Sequence, residues 1–313
     1  MVGCQNALVR LAKQPVPASF TNIIIDSVNV GIPYKPCEPS IYINPLNTDN
    51  VVAGVVLNKT LYSVDGGRTW KLQYVKSPYG VFGDPVIIAD YLGNFYFAHL
   101  SDTDNRGRMG PGWIDRIVIQ KSMDGGATWN EGSYAGHRAP ADQDKHWLGV
   151  DPKNNNLYVT WTEFDKYGSS NKNDHSRILF SRSTDQANSW SEAIQISQYE
   201  GDCLDGDQTT EGAVPCVGLN GEVFVAWAYD DRIYFDRSLD KGITWLDDDI
   251  IAAQQIGGWD FTIPGFGRAN GMPVTGCDLS KSPYRGTVYI NYCDQSNGED
   301  DTDVWLVKSV DGG

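Results

Sequence analysis

Residues 63–70 read SVDGGRTW, and the chain repeats variants of this segment four more times. The other copies occupy residues 122–129, 183–190, 238–245 and 309–313, at spacings of 59, 61, 55 and 71 residues. We call the five copies the Ser-Asp turns. A motif that recurs at such intervals predicts an array of similar structural units.

Each Ser-Asp turn follows a run of residues with high β-propensity, which predicts a hairpin with the turn between its strands. The Asp carboxylate can accept hydrogen bonds from the backbone of its own turn, Gly supplies a position with positive φ, and Trp anchors the hairpin to the core. The third copy has Ala187 and Asn188 in place of Gly and a variable residue, and Asn188 is expected to preserve the turn because Asn tolerates the left-handed conformation. The predicted structural carboxylates are Asp65, Asp124, Asp185, Asp240 and Asp311.

The sequence around each turn predicts four short strands, as at 84–90, 94–98, 116–121 and from 129 onward. Short strands in groups of four predict an all-β fold, a β-propeller of four-stranded antiparallel blades. We expect six blades, or seven, in a complete ring, and about five in this chain with the C-terminal blade truncated. Residues 20–313 are predicted to form one domain with an extra strand at 20–27 and an exposed sheet edge, after a tail at 1–19.

The Ser-Asp turns resemble the Asp-box, or bacterial neuraminidase repeat, of the sialidase superfamily, and the resemblance extends over residues 38–313. It implies a propeller whose boxes are structural turns on the face opposite the active site, in a protein that acts on glycans. The family opens its first blade with an Arg two residues before Pro, where this chain has Cys37 before Pro39, so the resemblance implies that the protein is not a standard sialidase. The nucleophilic Tyr of the family would belong to a last blade that these residues do not include.

The face opposite the turns is predicted to carry the long loops, at 100–115, 133–147, 163–176, 197–212, 257–271 and 294–303. An ionisable residue also begins the first strand of successive units, and these side chains should converge at the mouth of a central channel. Gathered carboxylates can serve as acid and base in glycoside cleavage or grip a cation, or they can merely cap the turns that precede the strands. The candidate catalytic residues are Glu38, Asp84, Asp144 and Glu211. The candidate substrate-binding residues are Arg138, Lys145, His146, Trp147 and Arg268, with Trp161, Trp227 and Trp259 as further stacking surfaces.

The bulk composition limits the partners of the protein. Its 313 residues carry a formal net charge of −15, which disfavours nucleic acid and anionic lipid surfaces. No apolar run reaches the ~20 residues that a membrane-spanning helix needs. The start MVGCQ resembles the end of a bacterial lipoprotein signal, so Cys4 is a candidate lipid anchor and a secreted, periplasmic or cell-surface location is expected.

No cofactor is required by these motifs, although two acidic stretches suggest calcium. One contains Asp202, Asp205 and Asp207, and the other spans residues 294–303. A solvated acidic loop is the alternative in both places. The expected partner is a glycan or glycoconjugate, and the alternative function is a non-catalytic scaffold that binds a protein partner at the face with the long loops.

Overall fold

The computed structural model describes residues 22–26 and 37–313, and their secondary structure consists almost entirely of β-strands. Blade 1 contains β1 (Ser40–Ile43), β2 (Val51–Val55), β3 (Lys59–Ser63) and β4 (Lys71–Tyr74). Blade 2 contains β5 (Val86–Ala89), β6 (Phe95–Asp102), β7 (Trp113–Ser122) and β8 (Ser133–Ala135). Blade 3 contains β9 (Asp142–Val150), β10 (Leu157–Phe164), β11 (Ser176–Ser183) and β12 (Ile194–Gln195).

The C-terminal half continues the same arrangement. Blade 4 contains β13 (Glu211–Val217), β14 (Val223–Tyr229), β15 (Arg232–Ser238) and β16 (Ile250–Gln254). A separate hairpin of β17 (Asp260–Ile263) and β18 (Phe266–Asn270) precedes blade 5, which contains β19 (Val274–Cys277), β20 (Val288–Asp294) and β21 (Asp303–Ser309). A 3-10 helix at Gly107–Met109 lies in the loop between β6 and β7.

The strands of each blade pair in chain order, and every pairing is antiparallel. The first strands pack against each other in succession, β1 on β5, β5 on β9, β9 on β13 and β13 on β19. They therefore line a central channel, and the predicted multi-blade β-propeller is confirmed.

The core lies between neighbouring blades. Four buried apolar clusters join blade 1 to blade 2, blade 2 to blade 3, blade 3 to blade 4 and blade 4 to blade 5. The Trp of a Ser-Asp turn reaches the preceding blade: Trp129 donates its indole N–H to Thr60 Oγ1 at 3.1 Å, and Trp190 donates to Ser133 Oγ at 2.9 Å. The Trp245 ring packs edge-on against Phe180 at 4.8 Å. The indoles of these turns thus help to join the blades.

The Ser-Asp turns are closed by hydrogen bonds within each motif. In the first, Ser63 Oγ donates to Asp65 Oδ1 at 2.7 Å and the same carboxylate accepts the backbone N–H and the hydroxyl of Thr69. The Ser–Asp bond recurs in all five turns, at 2.6–2.8 Å. In the third turn, the residues with positive φ are Gln186 (60°) and Ala187 (62°), so the expectation that Asn188 would supply the left-handed position is wrong.

The register separates the two faces of the propeller. Ile43 pairs with Val51 and Val51 pairs with Ser63, so the first Ser-Asp turn lies at the end where β1 finishes. At the opposite end, Ser40 pairs with Gly54. Glu38, which precedes Ser40, therefore lies on the face opposite Asp65, as the sequence predicted.

Three local expectations differ from the structure. Residues 22–26, the described part of the predicted strand 20–27, contain no strand. The predicted loop 257–271 contains the hairpin β17–β18, and the predicted loop 133–147 contains β8 and the first half of β9. Among the described residues β21 has no partner on its outer side, and it exposes Val304 and Leu306 as an open edge, as expected.

Cys4 and the rest of the predicted tail 1–19 lie outside the described residues. Within the described residues, no helix is long and apolar enough to span a membrane.

Candidate functional site

The same unusual backbone conformation recurs where the first strands of the blades begin. Glu38, Asp84 and Lys145 have φ values of 49°, 49° and 47°, and Gly212 has 77° at the matching place in blade 4. Residues other than Gly rarely adopt positive φ, and a following proline disfavours it further for Glu38 and Asp84. Such positions cost roughly 1–3 kcal/mol each and concentrate at functional sites. The backbone at the channel mouth, on the face with the long loops, is therefore strained.

A cleft of about 660 Å³ opens at this mouth. The loop between β6 and β7, the loop between β10 and β11, the segment before β13 and the hairpin β17–β18 form its walls. Its ionisable lining residues are Glu38, Asp84, Arg108, Asp144, Lys145, Tyr167, Asp205 and Arg268, and its aromatic walls include Phe82, Trp113, Trp259 and Phe266.

Glu38 and Asp84 form a pair of interacting carboxyl groups. Desolvation in the cleft, and next the Asp84 carboxylate, raise the pKa of Glu38 to about 7. Burial acts to raise the pKa of Asp84 too, but Lys145 and His146 outweigh it and hold that pKa below its ordinary value. The Lys145 ammonium lies 3.2 Å from Asp84 Oδ2. At mildly acidic to neutral pH, one carboxyl of the pair is therefore protonated while the other is ionised.

Two further carboxyls have raised pKa values: Asp144 lines the cleft, whereas the predicted catalytic residue Glu211 does not. Burial, then the charge of Asp84, raise the pKa of Asp144 to about 7. Burial, then the charge of Asp205, raise the pKa of Glu211 well above its ordinary value. Glu211 is fully buried, and neither of its carboxylate oxygens has a hydrogen-bond partner among the described residues. Because an unpaired buried carboxylate is costly, Glu211 is held in its protonated form.

Tyr167 and Asp205 are two further functional candidates. Sequence analysis did not identify Tyr167, and it assigned Asp205 to a calcium site. The Tyr167 hydroxyl donates to Asp205 Oδ2 at 2.6 Å, and Arg268 donates to Asp205 Oδ1 at 2.9 Å. Burial, then this hydrogen bond, raise the pKa of Tyr167, so that it is a phenol rather than a phenolate. Arg108 and Trp113 were also missed. Arg108 and Trp113 share one long loop, and Tyr167 and Asp205 lie on two others. In the sequence, only the predicted placement of these three loops on one face suggested that the residues could meet.

The predicted substrate-binding residues are only partly brought together. Lys145 and Arg268 line the cleft, whereas Arg138 lies away from it and pairs with the buried Glu163 at 3.0 Å. His146 is 1% exposed, and burial lowers its pKa to about 4. His146 and Trp147 border the channel below the mouth rather than the cleft itself.

The predicted stacking surfaces need correction. Trp161 and Trp227 are buried in the cores between blades, so they cannot meet a ligand. Trp161 uses its N–H to bind Gln143 Oε1 at 2.6 Å. Trp259 borders the cleft, where its ring faces the Arg268 guanidinium at 5.9 Å, but it is equally buried in the core between blades 4 and 5 and offers no free stacking surface.

The structure does not bring the proposed calcium ligands together. Asp202 accepts the Thr209 hydroxyl at 2.9 Å, Asp205 binds Tyr167 and Arg268, and Asp207 accepts the backbone N–H of Asp260 at 2.8 Å. Among residues 22–26 and 37–313, no group of three or more His, Cys, Asp or Glu side chains is arranged to hold a metal ion. These aspartates instead fix the loops of the cleft wall.

Blades of this topology around a cleft at the channel mouth define a β-propeller, and solved structures share this fold. The chain is similar to an ulvan lyase of polysaccharide lyase family PL25 bound to -[GlcA(1-4)Rha3S]-, with a TM-score of 0.53, 15% identity, and coverage of 88% of this chain and 67% of the lyase. It is similar to a Fusarium graminearum α-L-arabinofuranosidase mutant, with a TM-score of 0.51, 15% identity, and coverage of 87% of this chain and 81% of that enzyme.

The Trypanosoma rangeli sialidase in complex with 2,3-difluoro-KDN is also similar, with a TM-score of 0.50, 14% identity, and coverage of 87% of this chain and 46% of the sialidase. The chain spans about half the length of this sialidase and of a Hadza microbial sialidase. No protein-family model matches the chain. No curated protein sequence matches it either. At these identities the comparisons establish the fold.

Proposed function

We propose that the protein acts on glycans, and that its cleft binds a glycan and cleaves a glycosidic bond. The observation that carries this proposal is the pair formed by Glu38 and Asp84, two neighbouring carboxyls whose pKa values are pushed in opposite directions. The two carboxyls are hydrogen-bonded to each other and share one proton, so the pair offers one acid and one ionised carboxylate, the two protonation states that glycoside cleavage uses.

The roles of the two groups follow from their protonation. Glu38, with a pKa of about 7, holds a proton that it can donate to the leaving oxygen of a glycoside. Asp84, kept ionised by Lys145, can stabilise positive charge that develops at the sugar or activate a water molecule. Asp144 supplies a further proton-holding group next to Asp84.

The aromatic side chains in the walls of the cleft can contact a sugar ring. Phe82, Trp113 and Phe266 present aromatic rings that can stack on the apolar faces of pyranose or furanose rings. An open cleft lined by ionisable groups favours glycan chemistry over the non-catalytic protein-binding scaffold, because the cores of protein–protein interfaces are depleted in charged residues.

The similar structures support a function in glycan cleavage, since they are those of a sialidase, an α-L-arabinofuranosidase and an ulvan lyase. We propose that the Ser-Asp turns are Asp-boxes, because their hydrogen bonds give them the structural role that this resemblance implies. Cys37, which borders the cleft where the family pattern has Arg, argues against standard sialidase activity.

A secreted, periplasmic or cell-surface location, with Cys4 as a lipid anchor, is part of this proposal and rests on the sequence alone. Cell fractionation of the wild type and a Cys4→Ala variant tests it. We expect the wild type in the membrane fraction and the variant in the soluble fraction. Equal distribution of both would contradict the anchor.

The test of the function is a cleavage screen with aryl glycosides and polysaccharides. We expect Glu38→Gln and Asp84→Asn each to lower the turnover of a cleaved substrate by roughly 100-fold or more, the usual contribution of a positioned acid or base. Glu192→Gln is the control, because this exposed residue follows a Ser-Asp turn on the other face and should retain full turnover. Wild-type turnover in both cleft variants, or no activity on any glycan, would contradict the proposal.

A further inference from the structure

Arg108 differs from the other two cations that line the cleft. Lys145 is paired with Asp84 at 3.2 Å, and Arg268 is paired with Asp205 at 2.9 Å and Asp260 at 3.2 Å. Arg108 makes no ion pair and no side-chain hydrogen bond with any residue that the structure describes. Its guanidinium group is therefore available to bind a ligand.

Two aromatic rings hold the Arg108 guanidinium in place. Its central carbon lies 5.1 Å from the Trp113 ring centroid and 5.4 Å from the Tyr167 ring centroid. The two rings pack edge to face, 5.6 Å apart. Contacts of this kind use the π-faces of the rings and leave the N–H groups in the guanidinium plane free to donate to a ligand.

The loop that carries Arg108 is itself fixed. Asp102 is 8% exposed, and its carboxylate accepts the backbone N–H groups of Arg106 at 3.1 Å and of Gly107 at 3.1 Å. Gly107 has a φ of 54°, a conformation that suits glycine and that turns the chain into the 3-10 helix Gly107–Met109. Arg108 is thus presented to the cleft by an ordered backbone.

The carboxyl groups of the cleft do not neutralise the positive charge of Arg108. Asp84 and Asp205 already have cationic partners. Glu38 and Asp144 have pKa values raised to about 7, so that below pH about 7 they are largely uncharged and compete little for Arg108. A planar guanidinium with free donors is well matched to carboxylate or sulfate oxygens, which it binds in bidentate fashion.

We propose that Arg108 determines specificity by binding an anionic substituent, a carboxylate or a sulfate, on the glycan that enters the cleft. This inference rests on the proposed function, because it assigns a substrate class to the same site. Arg108 acts in recognition, and Glu38 and Asp84 carry the chemistry.

The test uses immobilised oligosaccharides in matched sets: a uronic-acid form, its carboxyl-reduced neutral form and a sulfated form. Affinities are measured for the full chain, for Arg108→Gln and for Arg106→Gln. Arg106 is an exposed arginine of the same loop that does not line the cleft, and it provides the control. Unchanged thermal unfolding midpoints establish that the variants are folded.

We expect the wild type and Arg106→Gln to bind at least one anionic form tenfold or more tightly than the neutral form. Arg108→Gln should lose this preference while its affinity for the neutral form stays the same. The uronic-acid and sulfated arms distinguish a carboxylate from a sulfate. Equal binding of anionic and neutral forms by the wild type, or an unchanged preference in Arg108→Gln, overturns the inference and leaves the proposed function standing. Binding to no glycan of any set overturns both.

Discussion

Glu38, Asp84 and Lys145 bring charged side chains to the channel mouth on left-handed backbone. Their shared conformation aims the first residue of successive blades at one point, and Lys145 holds Asp84 ionised there. At the residue scale, the site therefore depends on a backbone conformation that repeats from blade to blade. Each blade carries a different side chain at this position.

The buried carboxyl of Asp144 predicts a pH-dependent stability. Its pKa is raised to about 7, so the folded protein holds this proton more tightly than the unfolded chain. The resulting stabilisation is complete below pH about 4 and is lost as the pH rises through about 7. We expect Asp144→Asn, which cannot ionise, to be more stable than the wild type, with a gain that grows between pH 4 and pH 7 and then levels off.

Urea unfolding midpoints at a series of pH values measure this gain. Asp231→Asn is the control, because Asp231 is exposed and Asn accommodates its φ of 57°. A gain that does not vary with pH would show that Asp144 is not a proton-holding group of the folded state.

Two glycines at the same position of their Ser-Asp turns predict different costs of substitution. An alanine Cβ at Gly242 would lie 2.3 Å from the Phe180 ring, whereas at Gly67 the nearest atom is the Trp70 ring at 3.5 Å. Both residues have positive φ, so the conformational cost of alanine is shared. We expect Gly242→Ala to lower the free energy of unfolding by about 1–3 kcal/mol more than Gly67→Ala, the usual cost of overpacking.

Denaturant unfolding of the two variants measures the difference. Blade 3 carries Ala187 at the same position, which shows that the turn itself tolerates alanine. Equal destabilisation of the two variants would contradict the packing of Phe180 beneath Gly242.

At the element scale, the hairpin β17–β18 is linked to the cleft wall by the backbone N–H of Asp260, which donates to Asp207, and by the side chain of Arg268. Arg268 of β18 reaches Asp205, which also accepts the Tyr167 hydroxyl. We expect Asp205→Asn, which keeps the backbone conformation but removes the charge, to speed amide hydrogen exchange in β17–β18 several-fold. Asp230→Asn is the control, since Asp230 also has positive φ and an arginine partner, Arg232, outside this hairpin. Unchanged exchange in the hairpin of Asp205→Asn would mean that the ion pair does not hold it.

The elements were predictable where local chemistry decides them. The Ser-Asp turns carry their own hydrogen-bond partners in sequence, so each hairpin could be placed without knowledge of the fold. The hairpin β17–β18 was missed because its strands are short and Gly267 interrupts the second of them, although Pro264-Gly265 is a turn signal that lies at its tip.

The composition of the cleft was predictable only in part. Glu38 and Asp84 stand at equivalent places in repeated units, and that repetition placed them together before any coordinates. The contacts of Tyr167 with Asp205 and of Arg108 with Tyr167 depend on how separate loops fold over the mouth. No repeat or spacing in the sequence predicts those contacts.

At the scale of the whole molecule, the propeller divides its surface into two faces with different tasks. The Ser-Asp turns close the hairpins on one face, and their Trp side chains join neighbouring blades. The long loops and the strained strand starts gather on the other face around the cleft. The central claim is that glycans meet the protein on the second face alone.

Hydrogen exchange measured by mass spectrometry, with and without the glycan that binds best, tests this claim most directly. We expect the glycan to slow amide exchange in residues 103–112, 165–175 and 257–271, which border the cleft, and to leave residues 63–70, 122–129, 183–190 and 238–245 unchanged. Protection of the Ser-Asp turns, or of no segment around the cleft, would contradict the account.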